Sequence, residues 1–117
     1  MNDSLFKIFR SAEWQAFQNT GVFRGSPHDI RDGFIHMCAR HQLASTLTKH
    51  FSDVENIVLA RFDPDQLDGL KWEIARGAES FPHIYGQLVT RACQNHLTLQ
   101  HDQNGVFDIG AEFLETL

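Results

Sequence analysis

The segment GSPHDIRDGFIHMC, running from Gly25 to Cys38, decides how the chain is read. Gly25-Ser26-Pro27-His28-Asp29 is turn chemistry throughout, and Asp32-Gly33 makes a second break. Phe34-Ile35-His36-Met37-Cys38 then reads as a strand. Successive side chains of a strand alternate between faces, so Ile35 and Met37 are expected toward the core. That leaves His36 and Cys38 toward a cleft or solvent.

Downstream, Leu43, Leu47 and Phe51 repeat at helical spacing, which predicts a helix over 40–51. Upstream, Leu5-Phe6-Lys7-Ile8-Phe9 is a short apolar run that reads as a mostly buried strand. Ser11 is the expected N-cap of a helix that places Trp14 and Phe17 on one face and stops at Gly21. Asn56 to Phe62 reads as a central strand. Asp63-Pro64 caps a short helical turn that Gly69 closes, and Leu70 to Ile74 alternates as a half-exposed strand. Residues 75–80 read as a loop, Phe81 onward as extended, and Leu88 to Asn95 fits neither pattern. Leu97–Gln100 and Val106–Ile109 are expected to pair as a hairpin around Asn104-Gly105, with a helical turn over Ala111–Leu117. The expected fold is α+β, one domain over residues 1–117, with six or seven strands and two clear helices.

The composition narrows the function. A chain of 117 residues, 42% hydrophobic and 21% charged, excludes a disordered, collagenous or coiled-coil protein. The formal net charge of -5 argues against a general nucleic-acid binder, which needs basic excess to neutralise phosphates. Yet between Gly21 and Phe51 four basic residues (Arg24, Arg31, Arg40, Lys49) face only Asp29 and Asp32, and four of the seven histidines lie there. A local anion or nucleotide site fits that patch. Two cysteines make no disulfide framework, no signal peptide is visible, and no apolar run is long enough for a membrane span. A cytoplasmic protein without a membrane partner is expected.

Three constellations carry chemistry. Metal spacing is absent: there is no His-Glu-x-x-His, no Cys-x-x-Cys and no i, i+4 pair of histidines on a helix, so no residue is assigned to metal. Cys38, placed just before a helix start, has the position of an activated thiolate, although a small buried cysteine is the commoner outcome. The third set is His36, Glu73, Arg76, His83 and Tyr85, which offers acid, base and anion-binding groups on strand ends and an adjacent loop.

The motifs Gly25 to His36, Lys49-His50-Phe51, Leu70-Lys71-Trp72-Glu73 with Arg76-Gly77, and Phe81-Pro82-His83-Ile84-Tyr85-Gly86 resemble a bacterial family known as domain of unknown function 952. Phe6-Lys7-Ile8 and Glu13-Trp14 also fit, so the likeness spans about residues 5–89 and leaves 90–117 as a C-terminal hairpin and tail. Members of that family are similar to the ADP-ribosylation fold of ADP-ribosyltransferases and RNA 2′-phosphotransferases. The resemblance implies split antiparallel β-sheets with two or three short helices and a cleft that holds NAD in active relatives. Phe6-Lys7-Ile8 would be the first cleft strand and Phe34 to Cys38 the second. Lys7 stands where the transferases have Arg or His, and Met37-Cys38-Ala39 replaces the family's usual hydroxyl pair.

From this resemblance His36, Glu73, His83 and Tyr85 are the candidate catalytic residues, and Lys7, Arg24, Ser26, Asp32 and Arg76 the candidate cofactor contacts. Three functions compete. The first is an ADP-ribosyltransferase-like enzyme that transfers a glycosyl group from NAD. The second is a non-catalytic module that binds a nucleotide or anion, and the third a structural or interaction protein with no ligand.

Overall fold

The structure is a computed structural model, and it describes residues 3–110 and Phe113, the side chain of Arg76 apart. β1 (Leu5–Arg10) leads directly into α1 (Ser11–Thr20). The helix begins at Ser11, so Ser11 is not its cap. The cap is Arg10, whose backbone N–H donates to Glu13 Oε1 at 2.9 Å. Gly21 ends α1 in the left-handed conformation, as the sequence predicts.

β2 (Val22–Phe23) is followed by α2 (Pro27–Asp32), where only turns were expected. Ser26 Oγ accepts from the Asp29 N–H and the Asp29 carboxylate accepts from the Ser26 N–H, a reciprocal cap with Pro27 at the first helical position. The residues that end regular structure here also start a helix. β3 is short (Ile35–His36), and a 3₁₀ turn at Arg40–Gln42 precedes α3 (Leu43–His50). β4 (Asn56–Phe62), β5 (Leu70–Ile74) and β6 (Ser80–Ile84) match the expected strands. β7 (Leu88–Val89) and β8 (Cys93–Gln100) complete the set.

The strands form antiparallel sheets in the orders β1-β4-β8, β3-β6-β5 and β2-β7. The α+β expectation holds, with few, short helices. The C-terminal hairpin does not form as expected. β8 pairs along its length with β4, and the return beyond the Asp102–Gly105 turn is held by the His101–Phe107 bridge and the bond from the Asp102 N–H to the Val106 carbonyl, just past the end of β8. The helical turn expected over Ala111–Leu117 lies outside the described residues apart from Phe113. No helix among the described residues is long and apolar enough to cross a membrane.

Alternation along β1 and β4 divides the core in two. Leu5, Phe9, Val58, Ala60 and Phe62 pack on one face with Phe17, Phe23, Ile35 and Met37. Phe6, Ile8, Ile57 and Leu59 pack on the other with Leu43 and Leu47 of α3. Burial of these side chains is the main stabilising term, at about 1.5–3 kcal/mol each.

A single backbone bridge joins the β1 and β3 sheets among the described residues. Phe6 and Cys38 exchange two backbone hydrogen bonds, each 2.8 Å. Beyond that bridge the two strands part, and the gap between them is where the site lies.

Gly69 does not close the preceding helical turn, which ends at Gln66. Gly69 sits at φ +78 and its carbonyl accepts the Tyr85 N–H at 2.8 Å; a Cβ there would stand 2.3 Å from the Tyr85 carbonyl oxygen. Both the dihedral and the contact with backbone forbid a side chain. Gly69→Ala is therefore expected to lower the unfolding free energy by more than about 2 kcal/mol, read as a loss of urea midpoint. A variant as stable as the parent would show that this turn is not so tightly constrained.

Candidate functional site

The site grows from an unfinished ladder. The Met37 N–H bonds to Pro82 on β6, so the N–H and C=O of His36 point the other way, toward β1. No strand meets them there. Two side chains do instead: the Asp29 carboxylate accepts the His36 N–H at 3.1 Å, and the Lys7 ammonium donates to the His36 carbonyl at 2.9 Å. Lys7 and Asp29 are themselves paired at 3.0 Å, with side chains only 7% and 2% exposed. Unsatisfied backbone groups buried in the split would be costly, and this ion pair satisfies them.

Asp29 also orients the ring above it. Its Oδ1 lies 2.7 Å from His36 Nδ1. Burial alone would push the Asp29 carboxyl up. The His36 hydrogen bond, the Lys7 charge and the N–H groups of Ser26 and His36 outweigh it and hold the carboxyl well below the usual carboxylate range. A carboxylate at Nδ1 fixes the imidazole and turns Nε2 outward.

His36 Nε2 faces a cleft of about 590 Å³. Its floor is Lys7, Asp29 and Cys38; Phe34, Phe81 and His83 form one wall, and Thr46, Lys49 and His50 of α3 the other. On the rim, His28 and Asp32 share one face of α2 at i, i+4. Asp32 Oδ2 lies 3.0 Å from His36 Nε2 and 3.2 Å from His28 Nε2. His28 is pushed down, first by burial and then by the neighbouring His36. For Asp32, desolvation acts upward, and the His28 and His36 rings that outweigh it hold the carboxyl low.

Behind the wall is a second imidazole–carboxylate pair. His83 Nδ1 lies 2.7 Å from Glu73 Oε1, and the Tyr85 hydroxyl donates to the same oxygen at 2.7 Å. These bonds, the one to His83 first, hold Glu73 below the usual range, and Glu73 in turn pushes the Tyr85 phenol up. Phe34 stacks on the His83 ring at 3.9 Å.

The candidates from sequence thus divide. His36, His83, Ser26, Asp32 and Lys7 line the cleft. Glu73 and Tyr85 lie behind His83 and do not line it, and Arg24 is exposed elsewhere. The Arg76 side chain lies outside the described residues. Lys7 reaches the cleft floor, but its ammonium is taken up by Asp29 and the His36 carbonyl. Cys38 belongs to the second core; its thiol donates to Thr46 Oγ1, and burial pushes it up, away from an activated thiolate. Sequence reasoning missed Asp29 and His28. Their signal was present, as Ser26-Pro27-x-Asp29 capping and as the spacing His28-x₃-Asp32-x₃-His36.

A model of the protein family of unknown function DUF952 matches residues 8–96. The crystal structure of protein CC0527 from Caulobacter crescentus is 37% identical, with a TM-score of 0.88 over 97% of this chain and 99% of that one. Its crystallised double mutant is 36% identical with the same TM-score, and its solution NMR structure gives 0.81 over 93% and 95% of the two chains. No protein of curated function matches the chain.

The Asp29 network sets a pH dependence. Its folded-state value lies below the unfolded value of about 4, so its stabilisation is complete above that pH and fades as the pH falls further. Asp29→Asn leaves Lys7 buried without a counter-ion and is expected to cost about 3–5 kcal/mol at pH 7. The deficit relative to the parent should hold from pH 7 to about pH 5 and shrink as the pH falls below about 4 in urea melts. A deficit that does not change with pH would mean that the Asp29 charge contributes nothing.

Proposed function

The chain belongs to the DUF952 family of proteins of unknown function, and we propose that its cleft binds a small nucleotide-like anion. The observation that carries this reading is His36, fixed through Nδ1 by a buried carboxylate and presenting Nε2 to a cleft of about 590 Å³. That volume is in the usual range for small-molecule sites. The Phe34 and Phe81 rings offer a flat surface for a base, Lys49 offers positive charge to a phosphate, and the His28 and His50 rings line the same cleft. The resemblance to the ADP-ribosylation fold supports the same reading, since a cleft between split antiparallel sheets holds a nucleotide in that fold.

Binding is favoured over glycosyl transfer from NAD. In this reading Lys7 does not hold the cofactor, because its ammonium is committed to Asp29. Glu73, the carboxylate among the candidate catalytic residues, bonds to His83 and Tyr85 outside the cleft. A purely structural protein is less favoured: His36, with its side chain 30% exposed, lines an open cleft and is not sealed among its partners.

Thermal shift and calorimetry with NAD, ADP-ribose, AMP and inorganic phosphate at millimolar concentration test the proposal. At least one nucleotide should raise the melting temperature, with no consumption of NAD. His36→Ala and Lys49→Ala should weaken that ligand about tenfold or more, at about 1.4 kcal/mol per tenfold, and Arg24→Ala should leave it unchanged. Silence from all four compounds would remove the nucleotide reading.

A further inference from the structure

We infer that His28, Asp32 and His36 form a site for a divalent first-row transition-metal ion at the mouth of the cleft. Their ligand atoms all lie within 4.8 Å of one another. The two imidazole Nε2 atoms converge on one carboxylate oxygen, at 3.0 Å for His36 and 3.2 Å for His28. Two ligand atoms each about 2.1 Å from one ion are about 3.0 Å apart at a right angle and about 3.4 Å apart at a tetrahedral angle. Both separations from the Asp32 oxygen fall in that interval.

The partners of the His36 ring point the same way. Asp29 lies at His36 Nδ1 and Asp32 at His36 Nε2, so the ring stands between two carboxylates. With Nδ1 donating to Asp29, Nε2 and the Asp32 oxygen each offer a lone pair to a metal ion placed between them. The carboxylate behind Nδ1 is also the usual second partner of a metal-binding imidazole. Here that partner is 2% exposed and anchored by Lys7, so the ring is set before any ion arrives.

Two imidazoles and one carboxylate, with no thiolate among them, suit Zn²⁺, Fe²⁺, Co²⁺ or Ni²⁺ better than Mg²⁺ or Ca²⁺. Three protein ligands leave coordination positions for a ligand in the cleft. The inference stands on this triad and does not require nucleotide binding.

The test uses the full chain, freed of metal by a chelator and titrated with ZnCl₂ alone by calorimetry, with no nucleotide present. One Zn²⁺ per chain is expected, and Co²⁺ should give a ligand-field absorption band. His28→Ala and Asp32→Asn should each weaken Zn²⁺ by at least about tenfold, and His101→Ala, which removes an imidazole remote from the cleft, should not. The side chains of His28 and Asp32 are 40% and 35% exposed, so both variants should fold, which thermal melts check. Absence of binding at millimolar Zn²⁺ overturns the inference, as does binding that survives either substitution. Nucleotide binding by a protein that takes no Zn²⁺ would retain the cleft reading and remove only the metal.

Discussion

The structure depends on the buried ion pair between Lys7 and Asp29. A pair so placed is a doubtful source of stability, because the desolvation of two charges offsets most of their attraction. Its value here is geometric. β1 and β3 share one bridge, Phe6 to Cys38, and then part. A complete ladder would satisfy the His36 backbone with backbone, and no cleft would exist. Substituting an ammonium and a carboxylate for the missing strand keeps the sheets split while every polar group of His36 finds a partner. The same carboxylate completes the cap of α2, so one buried residue sets the helix, the split and the ring.

Much of this was legible in the sequence. The alternation at Ile35, His36 and Met37 predicts which side chains enter the core, and both Ile35 and Met37 are 1% exposed. β1, β4, β5 and α1 follow from apolar runs and turn residues. What was not legible has a common cause. Ser26-Pro27-His28-Asp29 satisfies the rules for a turn and for a helix start equally, and only the fold around it selects the helix. Asn104-Gly105 is a sound turn signal and the turn forms, but the returning segment pairs with the chain before it only at the His101–Phe107 bridge, while β8 pairs along its length with β4.

The cleft-lining residues named from the sequence are those whose type announces itself, and those missed are the ones whose position matters more than type. His36 and His83 are conspicuous in apolar strands. Asp29 is an ordinary acid in a polar segment, and nothing local shows that it will be 2% exposed. Lys7 is the converse: the resemblance marks it as a cofactor contact, but only the distance to Asp29 shows that its charge is already committed. The spacing His28-x₃-Asp32-x₃-His36 escapes a search for paired histidines on one helix, because Gly33 ends α2 and the third residue lies on β3.

The charge balance of the cleft connects the two readings of it. Lys7 and Asp29 cancel each other. Glu13 is held at the N-cap of α1 and Glu79 by the Gln42 amide and the His41 ring, so neither is directed at the cleft centre. What remains is Asp32 facing imidazoles, with Lys49 and the Arg10 guanidinium, which lies over the Phe51 ring, also lining the cleft. With neutral rings the remaining net positive charge is small and the Asp32 carboxylate stands 3.0 Å from His36 Nε2, which is poor for capturing a phosphate there. A divalent ion on the triad would change that: Asp32 would become a ligand to positive charge, and the cleft would acquire its strongest anion-binding group beside the aromatic wall. Protonation of the rings changes the field in the same direction but by a single charge at a time. The placement of Asp32 against two imidazoles is therefore what decides whether this cleft attracts anions strongly, weakly, or only together with a metal.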